Sequence, residues 1–316
     1  MANLVELIKT SKTIAIFSHI NADGDAVGSV MATYNLCKDL GKQVFVFLQT
    51  PISENYNFLG INKALSKERL SFYDLAIGLD CPNSQRFGVF ETEFSKAKKS
   101  ISIDHHLGNE MFADENVVCE KSSSTSEILF NIFKQNNVNF TREIATCLYA
   151  GVASDTGRFM HSNTSANALK TASELASVGA DIQKVNYQLF SHKRFCEFDI
   201  FRKAIDNVEF YENGKIAFIG ITDDMLKSAN ATINDTFLII DFVRGIDGVD
   251  IAVLMTENKK LEQMVSVRTL KSSAQNICKQ FGGGGHLYAS GCRIFVPFET
   301  AKKQMIEVCK RELDNE

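Results

Sequence analysis

The chain has 316 residues, 45% hydrophobic and 23% charged; that make-up excludes disorder, collagen-like repeats and long coiled coil, and the length suits two domains that each close a core. A formal charge of -4 and a pI near 5.9 exclude a broad basic surface for gripping long duplexes. There is no apolar run of about 18 residues to span a membrane, the first residues lack the basic flank of a signal peptide, and the eight cysteines are scattered, so a cytoplasmic protein with core cysteines is expected.

Residues 13–19 form a short apolar run fit for a buried strand, and 26–40 read as a helix that Gly41 ends. Further strands are expected at 43–49, 74–81 and 100–104, separated by helical stretches, which argues for a parallel sheet covered on both faces. Helices follow at 126–136, 142–153 and 166–178, the last stopped by Gly179. Residues 181–207 stay helical in pattern but turn polar, which suits a connection. Beyond them, strands at 215–222, 250–257, 263–269 and 292–296, with helices at 273–281 and 299–313, make a second, smaller α/β domain.

In an open parallel sheet, ligands gather where loops leave the carboxyl ends of the strands. The first strand runs into His19, Asn21, Asp23 and Asp25, the third into Asp80, and the fourth into Asp104, His105 and His106. After helix 142–153 come Ser154 and Asp155. Taken singly, each is a residue that caps helices and forms turns. Converging, Asp23, Asp25, Asp80 and Asp155 put four carboxylates in one crevice, where two unit charges about 4 Å apart repel by about 4 kcal/mol at an effective dielectric near 20. Two divalent cations balance four such charges, and mixed aspartate and histidine donors favour Mn²⁺, Fe²⁺ or Co²⁺ over Mg²⁺. Without cysteine among the donors, a structural zinc site is not expected. Paired metals suit phosphoester hydrolysis by an activated water.

His19-x-Asn21-x-Asp23-Gly24-Asp25-Ala26, the isolated Asp80, Asp104-His105-His106 and Ser154-Asp155-Thr156-Gly157 resemble the four motifs of the DHH phosphoesterase superfamily. Gly282-Gly283-Gly284-Gly285-His286 with Ala289-Ser290-Gly291 resembles the signature of its DHHA1 accessory domain. In length and order the chain is similar to the stand-alone bacterial nanoRNase and pAp-phosphatase branch, related to cyclic-di-AMP and pApA phosphodiesterases. One departure is Ala22, where many members carry proline.

The resemblance implies a parallel-sheet DHH domain over 1–185, a helical linker over 186–206 and a smaller α/β DHHA1 domain over 207–316. It implies His19 and Asp23 on one Mn²⁺, Asp25, His105 and Asp155 on the other, and Asp80 bridging, with Mg²⁺ or Co²⁺ as substitutes. His106 is then a phosphate ligand or proton donor, and Asp104 orients a histidine ring. Arg268, Gly283, Gly284, Gly285 and His286 are expected to bind substrate, as are Arg158 and Asn163. The expected substrates are short RNA or DNA oligonucleotides and nucleotide bisphosphates, with no long duplex and no membrane as partner. A cyclic di-AMP phosphodiesterase and a non-catalytic nucleotide-binding module are the alternatives, and a homodimer is left open. The segment 122–125 reads most simply as a helix cap, and Phe159 and Phe281 as core.

Overall fold

The computed structural model describes residues 4–259 and 261–314. The chain divides into two units, the first ending at His192 and the second starting at Lys193.

In the first unit, β1 (Thr13–Phe17), β2 (Gln43–Phe47), β3 (Tyr73–Leu79), β4 (Ala97–Asp104) and β5 (Glu115–Val118) form one sheet in the order β2-β1-β3-β4-β5. Every neighbouring pair is parallel. Alternation along the strands feeds two cores. Ile14, Ile16, Leu75, Ile77, Ile101 and Ile103 pack on one face with side chains of helices Gly24–Asp39, Thr125–Gln135 and Arg142–Asp155. Ala15, Phe17, Phe45, Phe47 and Tyr73 pack on the other with Phe87 and Phe94, from short helical turns. Fully burying a side chain such as Phe17 contributes about 1.5–3 kcal/mol. The expectation of a parallel sheet covered on both faces holds, the second face being covered by side chains from short helical turns.

The Gly24–Asp39 and Arg142–Asp155 helices cross closely at Gly28. A Cβ there would lie 2.6 Å from the Cys147 carbonyl oxygen, so only glycine lets the backbones approach this far. Asp23, Ser124, Thr141 and Ser165 each cap a helix by accepting from backbone N–H groups of its first turn.

The second unit holds β6 (Val208–Tyr211), β7 (Ile216–Ile221), β8 (Ile251–Lys259), β9 (Glu262–Thr269), β10 (Gly284–His286) and β11 (Ala289–Ile294), in the order β10-β11-β9-β8-β7-β6. Only β7 and β8 run parallel. Helices Ala274–Lys279 and Phe298–Leu313 supply Ala274, Ile277, Cys278, Met305 and Cys309 to the core on one face. Helices Phe195–Ile205 and Phe237–Arg244 supply Ile200, Ala204, Ile239, Ile240 and Val243 to the other. The helix at 195–205 therefore packs in the second core, in the span read from sequence as a connection.

Every expected strand forms, and β5, β6 and β10 add to them. These are edge strands of three or four residues, two of them glycine-rich or half-polar, with no alternating apolar signal of their own. β11 begins at Ala289, three residues before the expected start at 292, because Ala289-Ser290-Gly291 has turn composition yet pairs fully with β9. Six of the eight cysteines are buried, Cys119 is exposed and Cys196 partly so. Among the described residues no helix is long and apolar enough to cross a membrane.

Candidate metal centre

The sheet order makes β1, β3 and β4 neighbours, so the residues at their carboxyl ends meet. His19 leaves β1, Asp80 immediately follows β3, and Asp104 closes β4 ahead of His105 and His106. Asp80 adopts a left-handed backbone, φ 55°, and Asn21 does so at φ 59°, a conformation that costs least for asparagine and aspartate among residues with a side chain. Asp23 caps the Gly24–Asp39 helix through its Oδ1, which accepts from Asp25 and Ala26 N–H at 3.0 Å each. Asp155 is the last residue of the Arg142–Asp155 helix. Gly24 fits because a Cβ would lie 2.3 Å from the Ser154 hydroxyl.

The donors fall into overlapping groups in which ligand atoms lie within 4.8 Å of one another: His19, Asp23 and Asp80; Asp25, His105 and Asp155; and Asp80, His105 and His106. His19 Nε2 is 3.5 Å from Asp80 Oδ2 and 4.0 Å from Asp23 Oδ1. His105 Nε2 is 3.1 Å from Asp155 Oδ2 and 3.5 Å from Asp80 Oδ1. Asp80 thus turns one oxygen to each side. His19 Nδ1 donates to the Ile20 carbonyl at 2.7 Å, a bond that fixes the tautomer and leaves the Nε2 lone pair facing the carboxylates. His106 Nδ1 donates to Asp104 Oδ1 at 2.7 Å, and Asn109 holds the other Asp104 oxygen at 2.7 Å.

Several of these groups are buried: Asp25 and Asp104 at 0% exposure and Asp80 at 1%. Burial pushes Asp25 well above the usual carboxylate range, and the charges of Asp80 and Asp155 push it further. Burial also raises Asp155, with Asp80 and Asp23 adding to the effect against its bond to His105. For His105 burial opposes charge, but the hydrogen bond to Asp155 and the carboxylates of Asp25 and Asp80 prevail and lift it to about 10. The hydrogen bond to Asp104 raises His106 above the ordinary imidazole value, against its burial. Burial resists ionisation of Asp104, yet bonds from His106 and Asn109 hold its carboxyl below the usual range. Without a cation, protons therefore settle where positive charge is wanted. Among the described residues no lysine or arginine pairs with Asp23, Asp25, Asp80 or Asp155. This donor set, rich in carboxylate, edged with imidazole and lacking any protein cation, fits divalent metal ions.

Four contributors carried no clear signal in the sequence. Thr125 N–H donates to Asp25 Oδ2 at 2.6 Å and Ser126 N–H to Asp25 Oδ1 at 3.0 Å, while the Thr125 hydroxyl donates to Asp80 Oδ1 at 3.0 Å. Gly151 makes room for this: a Cβ would meet Ser126 Oγ at 2.0 Å and Asp25 Oδ1 at 2.5 Å. Tyr56, half-buried near Gly24, has its phenol pushed up to about 12 by burial and by Asp23 and Asp155, so it remains a proton donor at neutral pH.

Asn163 donates to the carbonyls of Ser123 and Asp155, at 3.2 Å each, tying the two loops together. Arg158 has φ 58° and lays its guanidinium over the Phe190 ring, 5.5 Å from the centroid. Phe159 packs against the core and Tyr149. In the second unit, Arg268 on β9 and His286 on β10 both pair with Ala289 of β11. They therefore share one face of the sheet, about two strand spacings or 10 Å apart. The Arg268 Nε lies 3.9 Å from Asp241 Oδ1, a loose pair. Gly283 tolerates no side chain, since a Cβ would meet the Gly291 carbonyl at 2.3 Å, and Gly285 has φ 144°. A Cβ at Gly284 would meet open space, and His286 is exposed.

Residues 13–152 match the model of the DHH family, N-terminal domain. Residues 13–152 thus form a DHH-family domain, and with the relatives that follow this makes the chain a hydrolase of phosphoric esters; the clustered carboxylates and histidines suit that chemistry. A bifunctional oligoribonuclease and PAP phosphatase NrnA from Thermus thermophilus is 28% identical over 319 residues, covering 99% of this chain and 94% of the relative. An exopolyphosphatase-related protein from Bacteroides fragilis superposes with a TM-score of 0.86 at 23% identity, covering 97% of this chain and 94% of that one. RecJ from Thermus thermophilus, solved in complex with Mn²⁺, gives a TM-score of 0.51 at 12% identity, covering 98% of this chain and 55% of that one. These structures share the fold.

Proposed function

We propose that the chain degrades very short oligonucleotides, down to dinucleotides such as pApA, and removes a phosphate from 3′-phosphoadenosine 5′-phosphate, in the cytoplasm and with two Mn²⁺ ions. The observation that carries this reading is the convergence of His19, Asp23, Asp25, Asp80, His105 and Asp155 into two donor groups joined at Asp80. The activities for which the Thermus relative is named agree with it. Two divalent ions there would neutralise the carboxylates, activate water as the nucleophile and offset charge developing on phosphorus oxygens. Mg²⁺ or Co²⁺ would substitute, Mg²⁺ less well because of the imidazole donors.

The chain's own groups do the rest. Asp80 serves both donor groups because its two oxygens face different histidines. The hydrogen bond to Asp104 favours the charged form of His106, which can give a proton to the leaving oxygen as the ester bond breaks, while Asp104 holds the ring in line. In the second unit the Arg268–His286 row offers cationic and hydrogen-bonding groups to a phosphate, and the glycine tract beside it lets a nucleotide approach the backbone. Short substrates need no long electropositive track, in keeping with the acidic pI.

One substrate panel in Mn²⁺ tests the reading: pAp, pApA, cyclic di-AMP, pyrophosphate, and RNA and DNA ladders from dinucleotides upward. The fastest turnover is expected with pAp and with oligonucleotides of two to about five residues, falling with length. Preference for pyrophosphate, for long strands or for none of these overturns it.

A further inference from the structure

We infer that Thr125 is a positioning residue whose hydroxyl sets the rotation of Asp80, so that each carboxylate oxygen serves one of the two proposed ions; this rests on the metal reading above. The sequence Ser123-Ser124-Thr125-Ser126-Glu127 reads as a helix cap, and it is one. Ser124 Oγ accepts the Glu127 N–H at 3.0 Å, and Glu127 Oε2 accepts from Ser123 N–H at 2.8 Å and from the Ser123 hydroxyl at 2.6 Å. These bonds consume the local capping groups and leave Thr125 free for a distant partner. Its hydroxyl is wholly buried and reaches a residue 45 positions away in the chain, Asp80 Oδ1 at 3.0 Å.

Thr125 and its neighbour Ser126 hold a second carboxylate. The backbone N–H groups of Thr125 and Ser126 meet both oxygens of Asp25, at the positive end of an 11-residue helix. One rigid helix start therefore grips a carboxylate from each donor group. The hydroxyl bond to Oδ1 leaves Oδ2 directed at His19 Nε2, 3.5 Å away, and keeps Oδ1 on the side of His105 Nε2, also 3.5 Å away. Rotation of the carboxylate about its Cβ–Cγ bond would withdraw both oxygens from these positions together. A hydroxyl is required for this, whereas the methyl of Thr125 is not.

The test is Mn²⁺ binding by titration calorimetry, without substrate, on the full chain and on Thr125→Val and Thr125→Ser. Partners that orient metal ligands typically account for roughly 10–100-fold in metal affinity. Thr125→Val should bind Mn²⁺ about tenfold or more weakly at one site or both, with an unchanged circular dichroism spectrum. Thr125→Ser should stay within about threefold of the parent chain, since it keeps the donor. A Val variant that loses less than about tenfold overturns the inference, as does a Ser variant that falls as far as the Val variant. Parent chain that takes up no Mn²⁺ overturns the metal reading itself and this inference with it.

Discussion

Replacing Gly151 by alanine separates two opposing effects in one side chain. Gly151 lies inside the Arg142–Asp155 helix, where alanine ordinarily stabilises by about 0.8–1 kcal/mol. Here the added Cβ would sit 2.0 Å from Ser126 Oγ and 2.5 Å from Asp25 Oδ1. Both lie on buried, hydrogen-bonded elements, so relief requires moving the helix start or the carboxylate. Overpacking of this kind costs about 1–3 kcal/mol. The two terms leave the metal-free variant destabilised by roughly 0–2 kcal/mol instead of stabilised. Displacing Asp25 should also weaken metal binding, and a tenfold loss in affinity removes about 1.4 kcal/mol of the stabilisation that saturating Mn²⁺ confers. Urea unfolding of both proteins, in EDTA and in Mn²⁺, measures each term. A variant that is about 1 kcal/mol more stable in EDTA and gains as much from Mn²⁺ as the parent refutes the packing described for this site.

Asp80→Asn should abolish turnover and the Mn²⁺-induced rise in melting temperature, while the melting temperature in EDTA holds or climbs, because one of the mutually repelling carboxylates is gone; retained activity contradicts a shared role for Asp80. His106→Asn should lower turnover by about 10²–10⁴-fold with Mn²⁺ affinity nearly unchanged, whereas a parallel loss of metal would make it a ligand. Arg268→Ala should raise KM for nucleotides more than for a generic phosphodiester, and equal effects would take Arg268 off the substrate path. Stability against pH gives another check. Asp25, Asp155 and His105 hold protons more tightly folded than unfolded. In EDTA their contribution is present at low pH and is lost as pH rises, for His105 from its ordinary 6.5 to about 10. Metal-free stability should therefore decline across that window and Mn²⁺ should flatten the decline; a stability that rises with pH in EDTA contradicts the charge balance.

Much of this centre was legible because its parts interrupt apolar strands. His19, Asp80 and Asp104-His105-His106 each follow a buried run directly, where a polar residue needs a reason. Thr125, Ser126, Gly151 and Tyr56 were not legible. A threonine at a helix start and a glycine within a helix are ordinary residues locally, and their partners Asp80 and Asp25 are distant in sequence. The segment 122–125 was correctly read as a cap, but capping side chains and a reach across the fold coexist there. Strand β10 has no sequence signal because its three exposed residues, two of them glycine, carry no period. The helix at 195–205 reads from sequence as a connection because its polar face is prominent, whereas Ile200 and Ala204, four apart, are what the core receives.

The aspartates of the proposed metal centre are also architectural. Asp23 begins its own helix by accepting two N–H groups, and Asp25 anchors the start of another helix 100 residues downstream. Chemistry and construction are fused at these two sites. A descendant lineage released from selection for catalysis would still be penalised for discarding either carboxylate, since both helices would lose a foothold. Drift should therefore erase His105 and His106 first, and a pair of aspartates surviving without their histidines would be the fossil trace of a former hydrolase.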